Sequence, residues 1–146
     1  MVRHLVCLTY NFDAVSASGA QVTTSLSPDH GYWGGKYDLE PILRMLDRER
    51  VCGTFFASGS TLSTHSEAGR ALVGDGHEIG HHGWDHRRPD NHNRQAEEDE
   101  LLRGIEAIDN LTGHTPSGYR SQSWGHSPHT VELLLDNGFV YDSSLM

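Results

Sequence analysis

At 146 residues the chain holds at most one domain, large enough to bury a real core. Its apolar and charged fractions, 36% and 21%, are those of a globular protein. A net charge of −9 and a pI near 5.5 argue against nucleic acid or an anionic membrane surface as a partner.

The N-terminus carries one Arg and one His before a five-residue apolar run, too short for a signal peptide or a membrane span. The expectation is a cytoplasmic protein. Residues 5–10 combine apolar, β-branched and aromatic side chains and read as a buried strand. Cys7 and Cys52 lie in apolar runs without C-x-x-C spacing and read as two buried free thiols. Residues 14–37, rich in Ser, Thr, Gly and Asp, form a long loop of the kind that often binds ligands, and contain Tyr32 and Trp33. Residues 38–48 predict a helix with Leu39, Ile42, Leu43 and Leu46 on one face. Residues 51–57 predict a second strand, 66–73 a helix stopped by Gly74-Asp75-Gly76, and 77–80 a short third strand.

Residues 96–111 give the clearest helix, with a stripe of Leu101, Leu102, Ile105, Ile108 and Leu111 and a stop at Gly113. Glu97, Glu98, Asp99 and Glu100 read as a solvated first turn that favours the helix dipole. Residues 118–121 follow as a fourth strand. Ser127-Pro128 opens a helix ending at Asn137-Gly138, and 139–141 starts a fifth strand. Five strands alternating with four helices imply βαβ units and a parallel sheet. The chain ends just after a strand, without the helix that normally covers one.

Gly76–His86 carries four histidines in eleven residues, and His82 and His86 form an H-x-x-x-H pair. Neutral imidazole is the commonest zinc ligand, and two imidazoles leave room for a third ligand and an open position. Asp13, just past the first strand, is the upstream candidate. His81 reads as a surface residue or a support to the site, His77 as a packing or capping residue, and Asp85 as a turn residue. Asn11 and Asp13 follow strand one, His82 and His86 strand three, and Arg120 and Trp124 strand four. In parallel α/β proteins all strand C-terminal ends share one face, and sites are built there.

Thr9-Tyr10-Asn11-Phe12-Asp13, Gly76–His86, Arg120-Ser121-Gln122-Ser123-Trp124 and Gly138–Ser144 together resemble the three leading motifs and a later segment of the polysaccharide deacetylase (NodB-homology) family. Within it the chain looks like the cytoplasmic allantoinase-like and peptidoglycan-deacetylase-like branch. The resemblance runs from about Val2 to the end of the chain. It implies a distorted parallel (β/α) barrel of about seven strands, of which this single domain, residues 1–146, would lack the C-terminal part. It also implies a divalent metal, zinc first with nickel, cobalt or manganese as alternatives, held by Asp13, His82 and His86. The implied reaction is metal-dependent hydrolysis of a non-peptide carbon–nitrogen bond, in an N-acetylated carbohydrate or a related small amide. Arg120 would orient the general base; Trp124, Tyr32 and Trp33 are candidates to line the substrate cleft, with packing in the core as the alternative.

Two departures shape the expectation. Asn11 stands where the family pattern has its general-base Asp, and a carboxamide cannot take up that proton. Gln122 replaces a proline, which predicts a looser turn presenting Trp124. The region expected to carry the general-acid His lies beyond the chain. The alternative reading is therefore a metal-binding pseudoenzyme or inactive fragment. An unfinished sheet edge invites self-association into a homo-oligomer.

Overall fold

The computed structural model describes residues 4–13, 36–85 and 87–145. Tyr32, Trp33 and His86 lie outside them. Five parallel strands, β1 (Thr9–Phe12), β2 (Thr54–Ala57), β3 (Glu78–His81), β4 (Gly118–Tyr119) and β5 (Tyr141–Asp142), form one sheet in the order β1-β2-β3-β4-β5. Strand order never reverses, so successive right-handed crossovers all fall on the same face. That is the singly wound pattern of a (β/α) barrel rather than the reversed order of a doubly wound sheet. The helices are α1 (Lys36–Glu49), α2 (Gly59–Thr64), α3 (Ser66–Gly74), α4 (Arg94–Thr112) and α5 (Thr130–Asp136).

The core follows from the strand alternation. Phe12, Phe55, Ala57 and Ile79 point to the helix side and pack with Leu39 and Leu46 of α1, Leu62 of α2, Leu72 of α3 and Ile108 of α4. A second cluster, Leu101, Tyr119, Leu133, Leu134 and Phe139, fills the space under α4 and α5. Asn93 caps α4 by accepting from the Ala96 N–H at 2.9 Å, and Gly113 closes it in the left-handed conformation.

Several expectations change. The first strand is Thr9–Phe12, not residues 5–10: pairing with β2 begins at Thr9↔Thr54, and Leu5 and Val6 are 94% and 80% exposed. Apolar composition marked a strand there, but the ladder partner sets where it starts. For the same reason Cys7 and Cys52, at the N-terminal end of β1 and β2, are exposed rather than buried. A fifth helix, α2, was not expected, because Gly-Ser-Thr-Leu-Ser-Thr has poor helix propensity. Its first turn is held from outside: the carbonyls of Gly83 and Trp84 accept from the N–H groups of Gly59 and Ser60, each at 2.9 Å. Glu97 is not solvated. It is buried and accepts from the hydroxyls of Ser127 and Thr130, which fixes the start of α5 against α4.

Candidate active site

The register fixes which residues meet. Phe12, Ala57, His81, Tyr119 and Asp142 lie in one row across the sheet. The next row toward the C-terminal ends is Asp13, Ser58, His82, Arg120 and Ser143, each one residue past its strand. The alternation of a strand turns that row to the side away from the helices, together with Thr9 and Asn11.

On that side the candidates converge. His82 Nε2 lies 3.3 Å from Asp13 Oδ2 and 3.5 Å from Asn11 Nδ2. The other ring nitrogen, Nδ1, donates to the main-chain oxygen of Arg120 at 2.6 Å. A carbonyl only accepts, so the proton sits on Nδ1, and in the neutral ring the Nε2 lone pair faces the Asp13 carboxylate. A tetrahedral zinc with ordinary Zn–N and Zn–O bonds separates two of its ligand atoms by about 3.3–3.5 Å, so Asp13 and His82 stand at the spacing a shared cation requires. Among the described residues no third His, Cys, Asp or Glu completes a metal cage. The sequence candidate for it, His86, lies outside them.

Among the described residues, Arg120 has hydrogen-bond partners rather than a surface ion pair. Its guanidinium donates to Asn11 Oδ1 at 2.9 Å, to Thr9 Oγ1 at 2.8 Å and to Ser143 Oγ at 2.7 Å, and Nε donates to the Ser143 carbonyl at 3.3 Å. It lies 4.2 Å above the Phe56 ring. Burial pulls its pKa down from the ordinary guanidinium value, but the fixed fork remains a donor to whatever stands at position 11. Asn11 therefore keeps the Arg120 contact through its carbonyl oxygen and turns its NH₂ toward His82. Gly80 and Gly118 make room beneath: a Cβ on Gly80 would lie 2.6 Å from the Phe56 ring, and one on Gly118 2.1 Å from that of Tyr141.

The turn after β3 is anchored on every side. The His82 N–H donates to Ala57 O at 3.1 Å, and the Gln122 amide donates to His82 O. His81, read from the sequence as a surface residue or a support to the site, is 0% exposed, which excludes the surface reading. Its Nδ1 accepts from the Gly83 N–H at 3.1 Å and its Nε2 contacts Leu101 O at 3.1 Å. Burial pushes its pKa down to about 4, against the raising effect of the Leu101 carbonyl. Asp85 is likewise more than a solvated turn residue. It pairs with Arg87 at 3.0 Å and hydrogen-bonds Glu100, whose carboxyl is pushed up first by burial and then by the Asp85 charge.

Trp124 stands at the C-terminal side of β4, 59% exposed. Ser123 and Trp124 have φ of +52° and +56°, a conformation that costs non-glycine residues about 1–3 kcal/mol each and persists only where the surroundings impose it. The imposition comes from Ser121 Oγ, which donates to Gly125 O, and from Gln122, which is buried. The predicted loosening at Gln122 is thus reversed: its side chain pins the turn to His82. Sequence reasoning also missed Ser143 and Phe56. The rule that placed Asp13 and His82, one residue past the strand, would have found Ser143.

Comparison with known proteins gives the family and the fold. The polysaccharide deacetylase family model matches residues 18–141. A peptidoglycan deacetylase of Helicobacter pylori is 37% identical over 97% of this chain and 50% of its own length. A peptidoglycan deacetylase-like protein of Gibberella zeae is 31% identical over 98% of this chain and 44% of its own. The chain thus spans about half the length of the curated relatives it matches. A solved structure from Mycobacterium smegmatis, assigned to the polysaccharide deacetylases, superposes with a TM-score of 0.84 at 35% identity, covering 96% of this chain and 50% of that one. A CE4 family pseudoenzyme from Bacillus anthracis shares the fold at TM-score 0.74 and 18% identity, over 93% of this chain and 41% of that one.

Proposed function

Because the chain belongs to the polysaccharide deacetylase family, we propose that it carries the metal-holding half of a hydrolase that removes N-acetyl groups from carbohydrate. The observation that carries the reading is the 3.3 Å approach of His82 Nε2 and Asp13 Oδ2, with the His82 ring fixed through Nδ1. Asp13, His82 and His86 would hold the metal, zinc first. A bound zinc supplies Lewis acidity toward an amide carbonyl and a lowered pKa for water. The chain's own residues do the rest. Arg120 fixes the side chain at position 11 beside His82, and Asn11 at that position orients a water by hydrogen bonds without accepting its proton. Trp124 offers an exposed apolar face for a sugar ring.

The names of the two relatives favour peptidoglycan-type N-acetylated sugar over a cyclic ureide as substrate. The cytoplasmic, allantoinase-like placement remains part of the proposal. Two exposed, unlinked thiols suit a reducing compartment, and fractionation of the tagged full-length protein tests it.

Asn11 supports a competing reading, a metal-binding pseudoenzyme. Loss of a general base typically lowers rate by about 10²–10⁴-fold. Asn11→Asp separates the two on an N-acetylglucosamine oligomer with zinc present. A gain of about 10²–10⁴-fold in acetate release supports a hydrolase scaffold lacking its base. No gain, in a variant that binds zinc normally, supports the pseudoenzyme. The preceding check is zinc stoichiometry. One zinc per chain, lost in the His82→Ala, His86→Ala double variant, is expected, and binding that survives the double change would refute the assigned ligands.

A further inference from the structure

We propose that Gln122 is a positioning residue for the metal ligand His82, an inference that rests on the metal reading above. The segment from Arg120 to Gln122 holds His82 at two points. The Arg120 carbonyl accepts from the ring Nδ1 at 2.6 Å, and the Gln122 side-chain amide donates to the His82 main-chain oxygen. One grip sets the rotation of the imidazole about its bonds, and the other sets the backbone from which the imidazole hangs.

Gln122 is 3% exposed, and its amide nitrogen donates to the His82 main-chain oxygen. Burying a carboxamide is unfavourable unless its polar atoms are bonded, and an apolar side chain of similar length would fill the same space without that penalty. The directional donor is what a filler would lack. The fit is close as well: Gly83, at φ +74°, sits so near that a Cβ there would lie 2.4 Å from Gln122 Nε2. From the other side, His81 accepts from the Gly83 N–H at 3.1 Å. The residue after His82 is thus clamped between Gln122 and His81, while Asp13 approaches Nε2 from β1. Groups that orient a metal ligand commonly change metal affinity by about 10–100-fold when removed.

The test measures zinc affinity of the full chain by competition with a chelator, and the visible absorption of the cobalt(II) form. It compares the native chain, Gln122→Met, Gln122→Asn, His82→Ala and Leu72→Ala. Met keeps length and removes the donor. Asn keeps the amide and shortens its reach by one methylene. Leu72, in the core between α3 and the sheet, serves as the control for lost stability alone. Both Gln122 variants should bind zinc about 10–100-fold more weakly, with a shifted cobalt spectrum, whereas Leu72→Ala should melt earlier and keep the native affinity and spectrum. Native affinity and spectrum in Gln122→Met would overturn the inference, as would an equal loss in Leu72→Ala. If the native chain and His82→Ala bind zinc alike, the metal reading itself fails, and the positioning role falls with it.

Discussion

Phe55 and Phe56 are adjacent in the chain and both fully buried, yet they belong to opposite faces of one strand and meet different chemistry. Phe55 points to the helices, stacks on Tyr10 with ring centroids 4.9 Å apart, and sits among Leu39, Leu46, Leu62 and Ile108. Phe56 points the other way, beneath the Arg120 guanidinium and edge-on to Tyr141. The helix face is a packed apolar core. The opposite face is a polar lattice of Thr9, Asn11, Arg120, Ser143, Asp13 and His82 on a small aromatic floor. The difference separates two tasks: one face supplies most of the folding free energy, and the other holds donors and acceptors in a fixed arrangement.

Truncating each phenylalanine breaks that comparison most directly. Phe55→Ala and Phe56→Ala should each cost about 3–5 kcal/mol, read from chemical denaturation. Only Phe56→Ala should also weaken zinc binding, by about 10-fold, because Arg120 rests on that ring and its main chain orients His82. Equal zinc affinity in the two variants would mean that the polar lattice holds its shape without the floor.

A smaller effect sharpens the boundary between the faces. His81 lies on the helix side, next to His82 in sequence, and its folded pKa is about 4 against an ordinary 6.5. Between these values the unfolded chain binds a proton that the folded chain does not, so stability rises with pH through this window and is lost as pH falls from about 6.5 toward 4. From neutral pH to about pH 5 the expected loss is roughly 2 kcal/mol. Denaturation midpoints of the native chain should carry this slope, and those of His81→Gln should lack it. An unchanged slope in the variant would assign the pH dependence to a group other than His81, and not to Glu100. That carboxyl has a raised folded pKa, which works in the opposite direction: its contribution is present at low pH and declines as pH rises through the folded value.

Much of the architecture could be read from the sequence because it rests on periodicity. The stripe on α4, the Asn137-Gly138 stop and the alternation of strands with helices are local signals. The convergence of Asp13, His82 and Arg120 could be read for a related reason: each follows a strand, and parallel strands end on one edge. What escaped depends on partners distant in sequence. α2 forms from weak helix formers because carbonyls of the site turn accept from its first N–H groups. Glu97 looked like a solvated carboxylate until Ser127 and Thr130 closed over it. Gln122 looked like a lost proline, and no local signal reveals that its amide reaches the His82 carbonyl.

The smallest expected effect concerns the two ends of the strands rather than the two faces. The C-terminal ends are crowded with hydrogen-bonded side chains, whereas at the N-terminal ends Cys7 and Cys52 are open to solvent. Thiol chemistry follows access, so a chromogenic disulfide reagent should modify both cysteines in the native chain as fast as in the unfolded one. Cys7→Ser and Cys52→Ser should each change stability by no more than about 0.5 kcal/mol, since neither side chain packs in the core. Slow, unfolding-limited modification of either thiol would show that something covers this end in solution. A second copy of the chain would then be the first candidate to examine, by repeating the modification across a range of protein concentrations. Reactivity independent of concentration would place the cover within the chain itself and would return Cys7 and Cys52 to the packed core.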